Sequence, residues 1–473
     1  MLEQLPATGT KVDPSAAVAP LFRVLNPLRV GWLSSDVFVP SLTVLGLLFY
    51  TSVAMAQVPL TLEDAMKLAQ GKTADARALG STIEEANARI RQAQSRYWPR
   101  VDAIETVQRG NQPVFVFSAL LSQRQFTAAN FSIDALNHPQ PVTNMRTTIA
   151  VEQPVFDAGM TTLGVQAAKL GRDVVAATRD LGRQDLAFRA AQAFIRVLQL
   201  EAAERATAAA VAAAESDRQR AGARRDVGLV TAADVLAVEV HLADMRQRQI
   251  ATGGDLAVAR IQLAEAVGLP LTSRVVAMRP PARSGPVDEE SLIREAIATH
   301  PQRRQADGQL QLADNARRTA RAGLLPTVGV QGGWEFNGAS LAAQQSSWVI
   351  GAEVRVNVFR GFSDTARMAE ASHARARAAA DVERVSRRIE VDVRGALAQL
   401  AAARAREDAG RAALVQARES QRIIRDRYEG GLATVTDVLR AAEATLDAES
   451  RATAAETDVI LQSVALDRAL GRL

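Results

Sequence analysis

The groups able to do chemistry in this 473-residue chain sit at two turns and at four scattered histidines. Thr231 and Asp234 follow Gly228-Leu229, and Thr434 and Asp437 follow Gly431-Leu432, with Tyr428 just upstream. At a spacing of three, the threonine hydroxyl accepts from the third amide of a new helix while the carboxylate accepts from the threonine's own amide. Helix capping therefore accounts for both pairs. If several chains gather these turns around an axis, the same carboxylates form a ring that repels itself and attracts cations. His138, His241, His300 and His373 lack metal-ligand company, and those in helical stretches have no i, i+4 partner. The absence of cysteine excludes disulfides, thiol nucleophiles, Cys-based zinc sites and a lipid-modified N-terminal cysteine. With no glycine-rich phosphate loop and no Ser/His/Asp arrangement, the residues point away from an enzyme and ask for no cofactor.

The turns are two copies of one feature. Val-Phe-Asp-Ala-Gly at 155–159 answers Val-Phe-Arg-Gly at 358–361, and Val-Gly at 267–268 answers Leu-Gly at 470–471. The offset is the same at all three places, since 359−156, 431−228 and 471−268 each give 203. A repeat held in register over that length fixes the architecture as two copies of one unit. Residues 57–270 form the first unit, 271–287 with Pro280, Pro281 and Pro286 the linker, and 288–473 the second.

Each unit reads as helix, two strands, very long helix, tight turn and returning helix. The first unit places these at 61–97, 99–109 with 145–157, 161–226 and 231–267. The second places them at 288–322, 326–337 with 346–358, 363–427 and 434–470. The residues are 48% apolar but only 4% aromatic, and alanine carries the difference, which favours long thin helices over a broad core. Leu181, Phe188 and Ile195 recur every seven residues, as do Leu186, Ala193 and Leu200, the spacing of a coiled coil. Gly228 and Gly431 are placed as helix-stop residues. Leu229, Val230 and Leu432 have little core to enter at the end of a two-helix rod, which suggests a partner surface. The net charge is only +4 and acidic residues interleave with the arginines, so no stripe for nucleic acid is present.

Residues 1–56 read as a secretory leader. Arg23 and Arg29 precede an uncharged run from Val37 to Val53, and Ala54-Met55-Ala56 supplies a small-x-small cleavage site. Trp348, Ile350, Ala352, Val354, Val356 and Val358 alternate with Val349, Gly351, Glu353, Arg355 and Asn357, giving one wholly apolar strand face. Trp98, Trp334 and Trp348 lie at or within the strands, as do Tyr97, Phe156, Phe336 and Phe359, in the manner of a membrane-interface girdle. Four strands are too few to close a barrel, so oligomerisation must complete it. Pro99 answers Pro326 at an offset of 227, which leaves 227−203 = 24 extra residues in the first hairpin. They fall in 110–144, which reads as an elongated loop at the barrel mouth.

The repeat, the leader, the Tyr-x-x-Gly-Leu-x-Thr-x-x-Asp-Val-Leu run from Tyr428 to Leu439 and the Val-Phe-Asp-Ala-Gly strand end together resemble the TolC-like outer-membrane efflux channels. The resemblance covers 57–473. It implies a mainly α chain with a transmembrane β part, assembled as a homotrimer. A twelve-stranded barrel, four strands per chain, would sit in outer-membrane lipid above a barrel of twelve helices crossing the periplasm. The partners implied are a periplasmic adaptor (membrane fusion protein) and an inner-membrane pump. By resemblance, Gly228, Leu229, Thr231, Gly431, Leu432 and Thr434 contact the adaptor, while Asp234, Tyr428 and Asp437 close the periplasmic end. Two positions depart from the best-known member, which has arginine where Ala433 stands and aspartate where Arg440 stands. Ala433 removes one salt bridge expected to hold the closed state, and Arg440 weakens a purely acidic constriction, so both the strength of the gate and its cation selectivity depart from what the resemblance implies. The competing reading is a periplasmic adaptor or coiled-coil scaffold without a pore, although such a protein would show one hairpin flanked by glycine-rich β domains.

Overall fold

A computed structural model describes residues 58–273, 275–278 and 288–473, which belong to one compact unit. The leader expected over 1–56 and most of the linker over 271–287 lie outside the described residues. In chain order the elements are β1 (Val58–Leu60), α1 (Leu62–Gly71), α2 (Ala74–Gln94), β2 (Arg100–Gly110), α3 (Pro113–Ser122), α4 (Ile133–Asn137) and β3 (Val142–Phe156). There follow α5 (Met160–Asp226), α6 (Ala232–Val267), β4 (Val275–Ala277), α7 (Glu289–Thr299), α8 (Pro301–Ala322), β5 (Thr327–Gly338), β6 (Gln344–Arg355), α9 (Ser363–Glu429) and α10 (Val435–Ala469).

Helices α5 and α9 each run for 67 residues, roughly 100 Å at ~1.5 Å per residue. The returning α6 and α10 have 36 and 35 residues, so each covers only part of its long neighbour. Helices α2 and α8 cover the rest, packed along α5 and α9, and α10 also packs against α5. Close approach is made possible by small residues. A Cβ added at Gly182 would lie 2.8 Å from Leu79 Cδ1, and one at Gly308 would lie 2.7 Å from Val174 Cγ2.

The core is a thin seam. Phe194, Leu256, Leu263 and Val267 lie fully buried with Leu60, Leu62 and Val275 where α5, α6, α1 and the small parallel β1–β4 pair meet. Its counterpart in the second unit joins Ile293, Ile389, Val393, Leu400 and Leu470. Ion pairs lace the helices together across the surface: Arg304 with Asp180 at 3.0 Å, Arg375 with Asp314 at 3.0 Å and Arg248 with Glu443 at 2.9 Å.

The structure corrects three expectations. The helices expected over 61–97 and 288–322 are each broken. Thr73 restarts the first by accepting from the amide of Ala76, and Pro301 holds His300 extended (φ −60°, ψ 131°) at the second. Strand β6 ends at Arg355, opposite Thr327, so Val356 and Val358 lie beyond the ladder. The segment 110–144 is largely helical, carrying α3, α4 and a 3-10 turn over Ala128–Phe131.

Strands β2, β3, β5 and β6 form one antiparallel sheet in that order. The register places Ala103, Ile149, Trp334 and Trp348 in one cross-strand row, and Val101, Val151, Gly332 and Ile350 in the next on the same face. The opposite face carries Arg100, Asp102, Arg146, Glu152, Gln331, Glu335, Glu353 and Arg355. One face is mainly apolar, with Glu105 and Arg109 towards the Gly110 end of β2, and the other mainly polar and charged, with Ile104 and Val349 among its residues; β2 and β6 are left as open edges.

Candidate functional site

Both tips are built from the same backbone chemistry. At the end of α5, Gly228 takes φ 77°; its amide donates to Arg225 O at 2.8 Å and the Leu229 amide donates to Arg224 O at 2.9 Å. At the end of α9, Gly431 takes φ 73°; its amide donates to Tyr428 O at 3.1 Å and the Leu432 amide to Arg427 O at 2.7 Å. This is the Schellman ending, in which the residue after the glycine ordinarily packs on an apolar residue of the last turn. That residue is Arg224 at one tip and Arg427 at the other, so the leucines find no apolar seat. Leu229 is 69% exposed and Leu432 73%. The same ending at Gly268 shows the ordinary outcome, because Leu269 packs against the core near Ala264. Val230, by contrast, joins the small tip core of Ala221, Val235, Val238 and Val435.

The return helices open with complete capping boxes. The Thr231 amide donates to Asp234 Oδ2 at 2.9 Å and the Asp234 amide donates to Thr231 Oγ1 at 3.2 Å. Thr434 and Asp437 repeat the arrangement at 3.0 and 3.2 Å. The Thr231 amide and hydroxyl hold the Asp234 carboxyl below its ordinary range. The Thr434 amide and hydroxyl do the same for Asp437, with Arg440 and Arg427 adding a favourable field. Both carboxylates are therefore charged, and each is committed through one oxygen to its own cap.

Tyr428 faces a cavity of about 300 Å³ between α5 and α9, lined among others by Asp217, Arg220, Arg425 and Val438. Its hydroxyl is buried with no hydrogen-bond partner among the described residues, and Asp234 does not reach it. What holds the ring is Arg224, which sequence reasoning missed. The guanidinium lies 4.7 Å over the ring and donates to Tyr428 O at 3.1 Å and Glu429 O at 2.9 Å. One side chain thus caps the carbonyl end of α9 from the end of α5. Its partner is 204 residues away along the chain, so no local pattern announced it.

At the far end of the long helices, the aromatics fall at two levels of the sheet. Trp98, Tyr97, Phe156 and Phe359 lie exposed beside the helices, whereas Trp334 and Trp348 pair across β5 and β6 towards the hairpin ends. Between these levels run Val328, Val330, Ile350 and Val354 on the apolar face. Among the described residues no helix is long and apolar enough to cross a membrane.

A family model described as "Outer membrane efflux protein" matches residues 66–269 and 292–472, both repeats and both tips. The chain belongs to the outer membrane efflux protein family. Among its relatives, the outer membrane efflux protein BepC of Brucella suis is 26% identical over 348 residues, spanning 70% of this chain and 74% of BepC. The outer membrane protein VceC of Vibrio cholerae shares the fold with a TM-score of 0.69 at 18% identity, covering 87% of this chain and 96% of VceC. The CmeC outer membrane channel of Campylobacter jejuni does so at 0.72 and 15%, covering 87% and 85%. As a member of the efflux family the protein resides in the outer membrane, with its helical part in the periplasm. A mainly α chain with a small sheet is how this family builds an efflux channel, and the adaptor reading falls away.

Proposed function

We propose that three copies pool their four-stranded sheets into one twelve-stranded barrel and their helices into a periplasmic tunnel. The duct passively conducts substrates delivered by an inner-membrane pump through a periplasmic adaptor. The observation that carries this reading is the sheet, with its apolar face, its charged face and its two unpaired edges. A free edge presents a row of unsatisfied amides and carbonyls, and in hydrocarbon only closure satisfies them. Closing β2 of one copy onto β6 of the next turns the Trp334–Trp348 face to lipid and the charged face to water. Trp98, Trp334 and Trp348 then mark the two interfaces. From Val328 to Trp334 is six residues of β5, about 20 Å at ~3.4 Å each, in keeping with an apolar band ~25 Å tall.

At the other end, Gly228, Leu229 and Thr231 with Gly431, Leu432 and Thr434 form the surface that meets the adaptor. Asp234, Tyr428 and Asp437 narrow the tip. The Tyr428 hydroxyl lies buried at the tip cavity without a partner among the described residues, and a turn of the ring in the assembly would bring it to a neighbouring chain. The residues do no covalent chemistry, and the protein is a conduit without a cofactor. Planar-bilayer recording on the purified protein tests this reading. It predicts discrete single-channel conductance steps, whereas a bilayer that stays insulating at saturating protein would reject a duct.

A further inference from the structure

The connection from Gly110 to Val142 is much longer than that from Gly338 to Gln344, and the sheet shows where the additional chain goes. Helix α3 leaves edge strand β2 and crosses β3, β5 and β6. It does so on the charged face. Gln123, at the end of α3, is buried and donates from Nε2 to Thr143 O and to Asn144 Oδ1, both at 2.9 Å. Asn144 Nδ2 in turn donates to Asn337 Oδ1 at 2.9 Å. Asn144 and Asn337 share the face of Arg146 and Glu335, opposite the two tryptophans. Arg124, in the left-handed region at φ 57°, carries the chain to the far edge and donates to Ser346 O at 3.3 Å. Phe117, Phe126 and Phe131 then fasten the return by edge-to-face contacts at 4.9 and 5.1 Å.

A row of three buried amides gives this segment one seat, since displacing it would strand buried polar groups without partners. The ends of the row, Gln123 Oε1 and Asn337 Nδ2, find no partner among the described residues. Val114, Phe131 and Ile133 stay exposed, although the polar face of a membrane barrel looks onto its lumen.

We infer that residues 111–141 form a lid inside the external mouth of the barrel, and that Val114, Phe131 and Ile133 are covered by the same segment of neighbouring copies. This rests on the pooled barrel proposed above. The occupant follows from topology. The segment spans the sheet from one open edge to the other, so the copy that pairs with β6 brings its own α3 beside the end of this one. The lid therefore faces the outside, opposite the helical tips, and admits material by size.

The lack of native cysteine makes the test direct. Gln331→Cys puts one thiol on the polar face, six residues from Asn337 and about 20 Å deeper. In intact cells a small impermeant maleimide should label it severalfold more than a bulky polyethylene-glycol maleimide. Replacing 112–140 by a short turn, or the milder Gln123→Ala/Arg124→Ala pair, should raise bulky labelling to match the small reagent. Equal labelling of the parent by both reagents would overturn the lid. In a separate sample, oxidised Ile133→Cys should run as covalent pairs on a non-reducing gel. If it stays monomeric while the unheated sample runs as a trimer, contact between lids is overturned but the barrel is not. An unheated sample without trimer would overturn the barrel reading and the lid with it.

Discussion

Asp234 and Asp437 spend their charge on their own caps, and that decides how the tips respond to acid. A carboxyl whose folded pKa lies below its unfolded value adds stability that is fully present above the unfolded value and is lost as pH falls through the folded one. Both groups are shifted down, so the loss begins only near pH ~4, the ordinary carboxylate value. Hydrogen exchange at the start of α6 and α10, corrected for intrinsic rates, should be flat from neutrality to that point and rise below it. A rise near pH 6 would contradict the capping role. Thr231→Ala should weaken the α6 cap by about 1 kcal/mol at any pH. Tyr428 tests a different bond. Tyr428→Phe alone costs nothing within the chain, because the hydroxyl has no partner there. Combined with Asp234→Ala, which also removes the α6 cap bonds, it should raise single-channel conductance severalfold through loss of the proposed contacts between copies. Unchanged conductance would reject the gate. Arg224→Ala should instead loosen the α9 tip within one chain, by roughly 1–3 kcal/mol for the charge-assisted bonds it removes.

At the scale of elements, the two tips and the two helix breaks repeat the same solution. Gly268 and Gly471, both left-handed at φ 71° and 72°, end α6 and α10 against the breaks. A Cβ at Gly268 would lie 3.2 Å from Lys72 C, and one at Gly471 would lie 3.0 Å from His300 Cδ2. Alanine at either should cost about 1–3 kcal/mol through backbone strain, seen as a lower unfolding temperature with conductance retained. The exposed tip leucines predict the reverse pattern. Leu229→Ser with Leu432→Ser should abolish efflux and leave trimer yield and thermal stability unchanged; normal efflux would refute docking. The long helices, their glycine stops and the four strands were legible because periodicity and a duplicated register are local signals. The breaks were harder to see. Pro301 offered a signal that the reading of one helix over 288–322 passed over. The other break depends on Thr73 turning its hydroxyl to Ala76, and threonine is common inside helices. The helices within 110–144 were missed because Pro113-Val-Phe-Val-Phe opens α3 with proline at its first position in a run that otherwise reads as a strand or loop.

On the scale of the whole molecule, the single chain is an incomplete surface. Its sheet is apolar where a soluble sheet would be polar, and its interior face is charged where a core would be apolar. Helices roughly 100 Å long rest on a seam of valine, leucine and alanine too thin to define a globular domain. The sequence already disclosed this incompleteness through one strand with a wholly apolar face and four strands too few to close a barrel, but the proposed lid and the Arg224 clamp depend on contacts between segments that no local pattern joins. The proposed assembly would resolve each peculiarity, with neighbouring copies supplying the missing strand partners, the wall of the tunnel and the cover for the lid. The most direct test is the mass of the detergent-solubilised protein by native mass spectrometry. The account predicts one species of three chains that survives dilution and falls to single chains only on heating. A stable monomer in mild detergent, with the edges of β2 and β6 open to exchange, would contradict it.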